Sequence, residues 1–203
     1  MARDNGALTV ILHVSDIHCR NAALERVLES EDYDIVVASG DFECIETAGI
    51  LVEKAKGPAI AVTGNLDNPA VSRLLRSHGV LLDGRVSTVK GLRFAGVGGM
   101  DVVGSINMLK TLAPTSRLDV LVSHHPPRGV LDRTFIGLHA GLKELWDIIK
   151  TFKPRLHLFG HIHESPGYEE RDGILYVNPG PLARGRYAVV DYMSGRVELK
   201  RIA

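Results

Sequence analysis

No excess of charge of either sign marks this chain: among its 203 residues, 24 Lys+Arg face 24 Asp+Glu. That balance leaves no electrostatic basis for nucleic acid or an anionic membrane as the main partner. Long hydrophobic runs are missing as well. The longest apolar stretch near the start, Leu8 to Val14, is far shorter than a membrane span, lacks a small-residue cleavage site and runs straight into Asp16. It is expected to be neither an anchor nor a leader. Cysteine is scarce: Cys19 and Cys44 are too few for a disulfide framework. Both lie close in sequence to acids and imidazoles, where the thiols are expected to pack or support while oxygen and nitrogen ligate. Repeats, low-complexity tracts and linkers are also absent. These absences lead us to expect one soluble domain over 1–203, intracellular and cytoplasmic.

What the chain does have is five short apolar runs, each ending in metal-ligand residue types. Leu8 to Val14 precedes Asp16 and His18, Asp34 to Ser39 precedes Gly40-Asp41, and Ala59 to Thr63 precedes Gly64-Asn65-Leu66-Asp67. Asp119 to Ser123 precedes His124-His125-Pro126-Pro127, and Leu156 to Phe159 precedes Gly160-His161-Ile162-His163. Runs of this kind read as buried strands. Ligands of open α/β sheets bind beyond the carboxyl ends of strands. The pattern therefore predicts carboxylate, amide and imidazole groups gathered on one rim of one sheet, which core packing does not require.

Between the runs, Asn21 is expected to cap a helix with Leu24, Val27 and Leu28 inward. A second helix fits Ile45 to Lys56, with Ala48, Leu51, Val52 and Ala55 inward, and a third opens at Asn68-Pro69 and closes at Gly79. This β-α-β-α-β-α order is the grammar of a parallel sheet. Val86 to Val89 and Leu92 to Val97 read as a strand pair, followed by a Gly-rich loop and a short helix from about Ser105 to Leu112, before Pro114. Arg128 to Gly137 reads as a loop. Leu142, Leu145, Trp146 and Ile149 mark a helix ending before Pro154. Ile174 to Val177, Tyr187 to Tyr192 and Val197 to Ile202 read as strands, the last two a hairpin at Ser194-Gly195. Two packed sheets with helices outside accommodate this order.

Taken singly, each polar residue has an ordinary reading. An Asp after a strand forms turns, a lone His hydrogen-bonds in a loop, and Asn65 after Gly64 suits a turn. Seven such residues (Asp16, His18, Asp41, Asn65, His124, His161 and His163) at five strand ends point instead to a metal centre. Asp16 with His18, and His161 with His163, sit two apart, so an extended backbone would turn each pair to one side. By the same alternation His124 and His125 cannot both ligate if the strand persists, and His124 is preferred. His13 and His157 are expected to be buried and hydrogen-bonded, His78 to sit at a helix end, and His139 to face solvent.

The ordered set Asp16-x-His18, Gly40-Asp41, Gly64-Asn65-x-Asp67, His124 before Pro-Pro, and Gly160-His161-x-His163 resembles the calcineurin-like metallophosphoesterases over about residues 10 to 181. With Asn178-Pro179-Gly180 downstream, it is similar to the small, cap-less phosphoesterases called Icc-related. The resemblance implies a four-layered α/β/β/α sandwich of two mixed sheets flanked by helices. It implies one divalent metal on Asp16, His18, Asp41 and His163 and a second on Asp41, Asn65, His124 and His161, with Asp41 bridging. Asp41, Asn65 and His124 would then be catalytic, Mn would be the first expected ion with Fe, Zn, Co or Ni possible, and metal-held hydroxide would attack a small phosphoester. Many members carry a His where this chain has Leu66, so help to the leaving group is in question. Asp67, without that partner, could cap the next helix. A phosphodiesterase is the leading expectation, with Arg128, Arg133, Arg184 and Arg186 as candidate phosphate contacts. A non-catalytic binding scaffold on the same fold and a nuclease are the alternatives.

Overall fold

The computed structural model describes residues 9–112 and 118–202, so Leu8 of the first run and Pro114 lie outside the described residues. The chain opens with β1 (Val10–Val14), α1 (Asn21–Ser30), β2 (Ile35–Ala38), α2 (Ile45–Lys54), β3 (Ala59–Ala61) and α3 (Pro69–Ser77). There follow β4 (Val86–Val89), β5 (Leu92–Val97), α4 (Val102–Thr111), β6 (Val120–Ser123), α5 (Leu145–Phe152) and β7 (Leu156–Leu158). The last part holds β8 (Gly167–Arg171), β9 (Ile174–Asn178), a 3-10 turn over Leu182–Arg184, β10 (Arg186–Asp191) and β11 (Arg196–Arg201).

These strands form two mixed sheets, one ordered β11-β10-β1-β2-β3 and the other β4-β5-β6-β7-β9-β8. Alternation along each strand explains the layering. In β1 the odd residue Ile11 joins Ile35, Val37, Phe94, Val122 and Leu158 between the sheets. Its neighbours Leu12 and Val14 face outward onto Leu24, Leu28, Leu51, Val71 and Leu75 of α1, α2 and α3. On the far side, Ala95 and Leu121 lie under Ile106 and Leu109 of α4 and Ile149 and Phe152 of α5. The result is the four-layered α/β/β/α arrangement. Among the described residues no helix is long and apolar enough to cross a membrane.

Several local expectations need correction. The five ligand-bearing strands do not share a sheet: β1, β2 and β3 lie in one, β6 and β7 in the other. Asn21 is not the cap of α1 but its first residue, and its Oδ1 accepts from Thr47 Oγ1 at 2.6 Å, tying α1 to α2. The helix expected from Ser105 starts at Val102 because Asp101 caps it, accepting from the Gly104 N–H at 2.8 Å. β8 was not anticipated.

Other local signals hold. Asn68 Oδ1 accepts from the Ala70 and Val71 N–H groups, with Pro69 in the first turn of α3. His78 closes α3, its Nδ1 lying 3.0 Å from Leu74 O.

Candidate metal centre

The carboxyl ends of the two sheets meet at one edge, and the loops there are held in left-handed backbone. Asp16, His18, Cys19, Asp41, Glu43 and His161 all have positive φ, between 47° and 67°. Non-glycine residues seldom adopt this region, and where they do the surrounding structure must hold them. Asp16 and His18 therefore reach the same side through a coiled loop rather than through an extended one. Backbone bonds supply the hold: the Ile17 and His18 N–H groups both donate to Asp41 O at 2.9 Å, and the Asp16 N–H donates to Gly40 O. Gly40 has φ +99°, and a Cβ there would lie 2.6 Å from Gly64 N and 2.7 Å from His124 Nδ1. Only glycine lets three loops approach this closely.

The side chains converge on three overlapping sets with mutually close ligand atoms: Asp16, His18 and His163; Asp16, Asp41 and His124; His124, His125 and His161. Asp16, Asp41 and His124 are buried. Asn65 joins them, its Oδ1 2.8 Å from His124 Nε2. All seven residues read from the sequence thus lie at one locus. Asp16 and His124 each belong to two of the sets, and Asp41 lies between them.

His125 lies beside its neighbour, with ring centroids 5.0 Å from His124 and 4.3 Å from His161. β6 ends at Ser123, so strict alternation no longer separates the two imidazoles.

Outer partners fix the tautomers of two histidines. His18 Nδ1 lies 2.8 Å from Glu43 Oε1, and His124 Nδ1 lies 2.8 Å from Ser39 O. A carboxylate and a carbonyl only accept, so both Nδ1 atoms carry the proton and both Nε2 lone pairs point inward. His18 Nε2 faces His163 Nε2 at 3.4 Å, while His124 Nε2 faces Asn65 Oδ1 and, at 3.6 Å, Asp41 Oδ2. Lone pairs aimed at lone pairs are what a cation between them would satisfy, and the outer partners match the usual support of ligating histidines. The donor set fits divalent metal.

Electrostatics agree. Burial raises the Asp16 pKa, but hydrogen bonding, first of all from His163, outweighs it and holds the carboxyl down to about 2. His163 is raised, first by that same bond. Burial lowers His125 to about 3 and His161 to about 4, leaving both rings neutral and able to donate lone pairs. Burial raises Asp41, which the Leu66 N–H partly counters.

Some supporting residues stand outside the seven candidate ligands. Glu43 orients His18, and its place two residues after Asp41 is the sequence signal that points to it. Asp67 does not cap α3; its carboxylate accepts from the Glu43 and Gly64 N–H groups, both at 2.7 Å, and so braces two ligand loops. Asn178 Nδ2 donates to Ile162 O and Ser165 O, holding the His161–His163 loop.

The two cysteines are joined in a disulfide, Cys19–Cys44, which replaces the free thiols expected from the sequence. His139 pairs with Asp132 at 2.5 Å, half-exposed and outside the ligand sets. Arg128 and Arg133 donate to His139 O and Gly137 O, whereas Arg184 acts electrostatically on His163.

Residues 10–198 match the model of the calcineurin-like phosphoesterase superfamily domain. The chain belongs to that superfamily. Metallophosphoesterase domain-containing protein 1 of Homo sapiens is 40% identical over 63 residues, which make up 30% of this chain and 19% of that protein. The chain thus matches about a fifth of the length of this curated relative. The crystal structure of the protein TT1561 of Thermus thermophilus covers 97% of this chain and 100% of its own, with TM-score 0.75 and 20% identity. A novel archaeal phosphodiesterase covers 96% and 100%, with TM-score 0.65 and 16% identity. At these identities the two structures attest the fold alone.

Proposed function

We propose that this calcineurin-like phosphoesterase is an active hydrolase of small phosphodiesters that works with two divalent cations, Mn first and Fe, Zn, Co or Ni as acceptable substitutes. Asp16, His18, Asp41 and His163 would hold one ion, and Asp41, Asn65, His124 and His161 the other. Bound there, the ions would activate water near neutral pH and neutralise phosphoryl charge.

The observation that carries the reading is the pair of inward lone pairs on His18 and His124, set by Glu43 and Ser39. Outer partners of this kind are the usual support of metal-ligating histidines. The protein's own residues do the positioning. Asp67 and Asn178 hold the ligand loops, and the neutral His125 lies against the His161 ring.

A diester carries one negative charge, whereas a monoester dianion calls for extra cationic contacts. Two of the four candidate arginines are turned to backbone carbonyls, which favours the diester. Leu66, 55% exposed, offers no proton to a leaving group, which favours esters that depart easily.

The test combines metal analysis of freshly purified protein with a screen of diesters and monoesters after Mn reconstitution. Two ions per chain with turnover of aryl diesters is the expected result, and Asp41→Ala should lose both. Metal retention without turnover of any ester would overturn the enzyme reading in favour of the scaffold.

A further inference from the structure

Beside the metal centre two sequence neighbours face two others. His18 is followed by Cys19 and Glu43 by Cys44; the first members share the 2.8 Å contact, and the second members share the disulfide. The crosslink thus runs parallel to the contact that orients His18. His18, Cys19 and Glu43 all sit in left-handed backbone, and the Cys19 and Cys44 N–H groups both donate to Phe42 O. Both cysteines are partly exposed.

We infer that Cys19–Cys44 is a reversible thiol–disulfide exchange site whose oxidised form clamps Glu43 against His18 and so sets metal retention at Asp16, His18 and His163. The inference rests on the metal-centre reading above. In a reducing compartment, such as the cytosol expected from the sequence, a disulfide is normally a transient or sensing group rather than a permanent staple.

The exchange partner is a dithiol. One of its sulfurs attacks a sulfur of the Cys19–Cys44 bond and the other cysteine leaves as a thiolate. The second dithiol sulfur then closes a cyclic disulfide and expels the remaining cysteine. Two electrons and two protons pass from the dithiol, leaving Cys19 and Cys44 as thiols. Without the crosslink the backbone bonds to Asp41 O and Phe42 O still trace the loop but no longer pin its side chains, so Glu43 is free to withdraw from His18 Nδ1 and the ring loses its fixed aim at the ion. Loss of such an outer partner typically lowers metal affinity about 10–100-fold.

The experiment uses the full chain in oxidised and reduced forms. Reduction is done with dithiothreitol and separately with a phosphine, which removes the objection that a dithiol merely chelates the ion. Intact mass after alkylation counts thiols, and elemental analysis with Mn titration measures retention. The expected result is no alkylatable thiol before reduction and two after. The affinity of one of the two ions should fall at least about 10-fold on reduction by either reagent and recover on reoxidation.

Cys19→Ser/Cys44→Ser should behave as the reduced protein. Oxidised Glu43→Ala should show the same loss, with little further change on reduction. Two free thiols in air-oxidised protein, or equal affinity in both redox forms, would overturn the inference while leaving the metal centre standing. Failure to bind metal in either form would overturn both.

Discussion

Acidification should weaken the metal-free protein through two buried imidazoles, His13 and His157. Both are fully buried; the Nε2 of each pairs with a serine, Ser39 at 2.9 Å and Ser123 at 2.8 Å, and neither Nδ1 has a partner among the described residues. Burial lowers both from 6.5 to about 3. The sign follows from linkage. Above about pH 6.5 neither state binds the proton, so stability is flat. Below it the unfolded chain takes up a proton that the folded chain refuses until about pH 3, and stability falls as pH falls.

The loss approaches about 1.4 kcal/mol per pH unit for each ring, or about 2 kcal/mol each by about pH 5. Urea unfolding in chelator at about pH 7.5 and about pH 5 reads this directly. His157→Phe provides the control, because a phenyl ring suits a site between Phe159 and Tyr176, 5.0 and 5.7 Å from the imidazole centroid. The variant should lose about 2 kcal/mol less on acidification than the native chain. His125 and His161 titrate in both proteins and cancel in the difference. Equal acid losses in the two proteins would show that His157 is not kept neutral by the fold, and the reasoning would fail.

Asn68→Ala removes the α3 cap and a bond from Asn68 Nδ2 to Glu43 O, and should cost about 1–2 kcal/mol in chemical denaturation, whereas Asn68→Asp should keep most of the cap. His124→Ala should reduce occupancy of one ion by elemental analysis, and His125→Ala should spare it; the reverse pattern would exchange their roles. Leu66→His should narrow the gap in kcat/KM between alkyl and nitrophenyl diesters at equal metal content, since a general acid is typically worth about 10²–10⁴-fold on a poor leaving group. A native enzyme that already cleaves both equally well would place the proton donor elsewhere.

The parts of the fold legible in the sequence are those governed by short-range rules. Asn68-Pro69 announced a helix start because an amide cap and a fixed proline φ act within one turn. The ligand-bearing runs announced themselves by being apolar on both faces. β8 escaped because it is an edge strand: Tyr168, Glu169, Glu170 and Arg171 are largely solvent-facing and pair only with β9, so no apolar period marks them. The division of ligands between two sheets escaped for a different reason, since parallel strands in either sheet carry the same local pattern. The convergence of His125 and the bracing by Asp67 depend on where β6 stops and how the Gly64 loop folds back. Those are tertiary facts. The cysteines were misjudged because a sequence separation of 25 hides a Cα–Cα distance of 5.3 Å.

β1 sits at the middle of its sheet only because β10 returns to it, after the whole second sheet has been built. During synthesis this ordering is a delay. Asp16 and His18 leave the ribosome 145 residues ahead of His161 and His163, roughly 7 to 30 s at ordinary elongation rates. An ion meeting the nascent chain early in that interval finds two carboxylates, an amide and the His18 imidazole, with His124 joining them later and His161 and His163 last. A centre built from all seven residues is therefore complete only after translation has passed the second sheet.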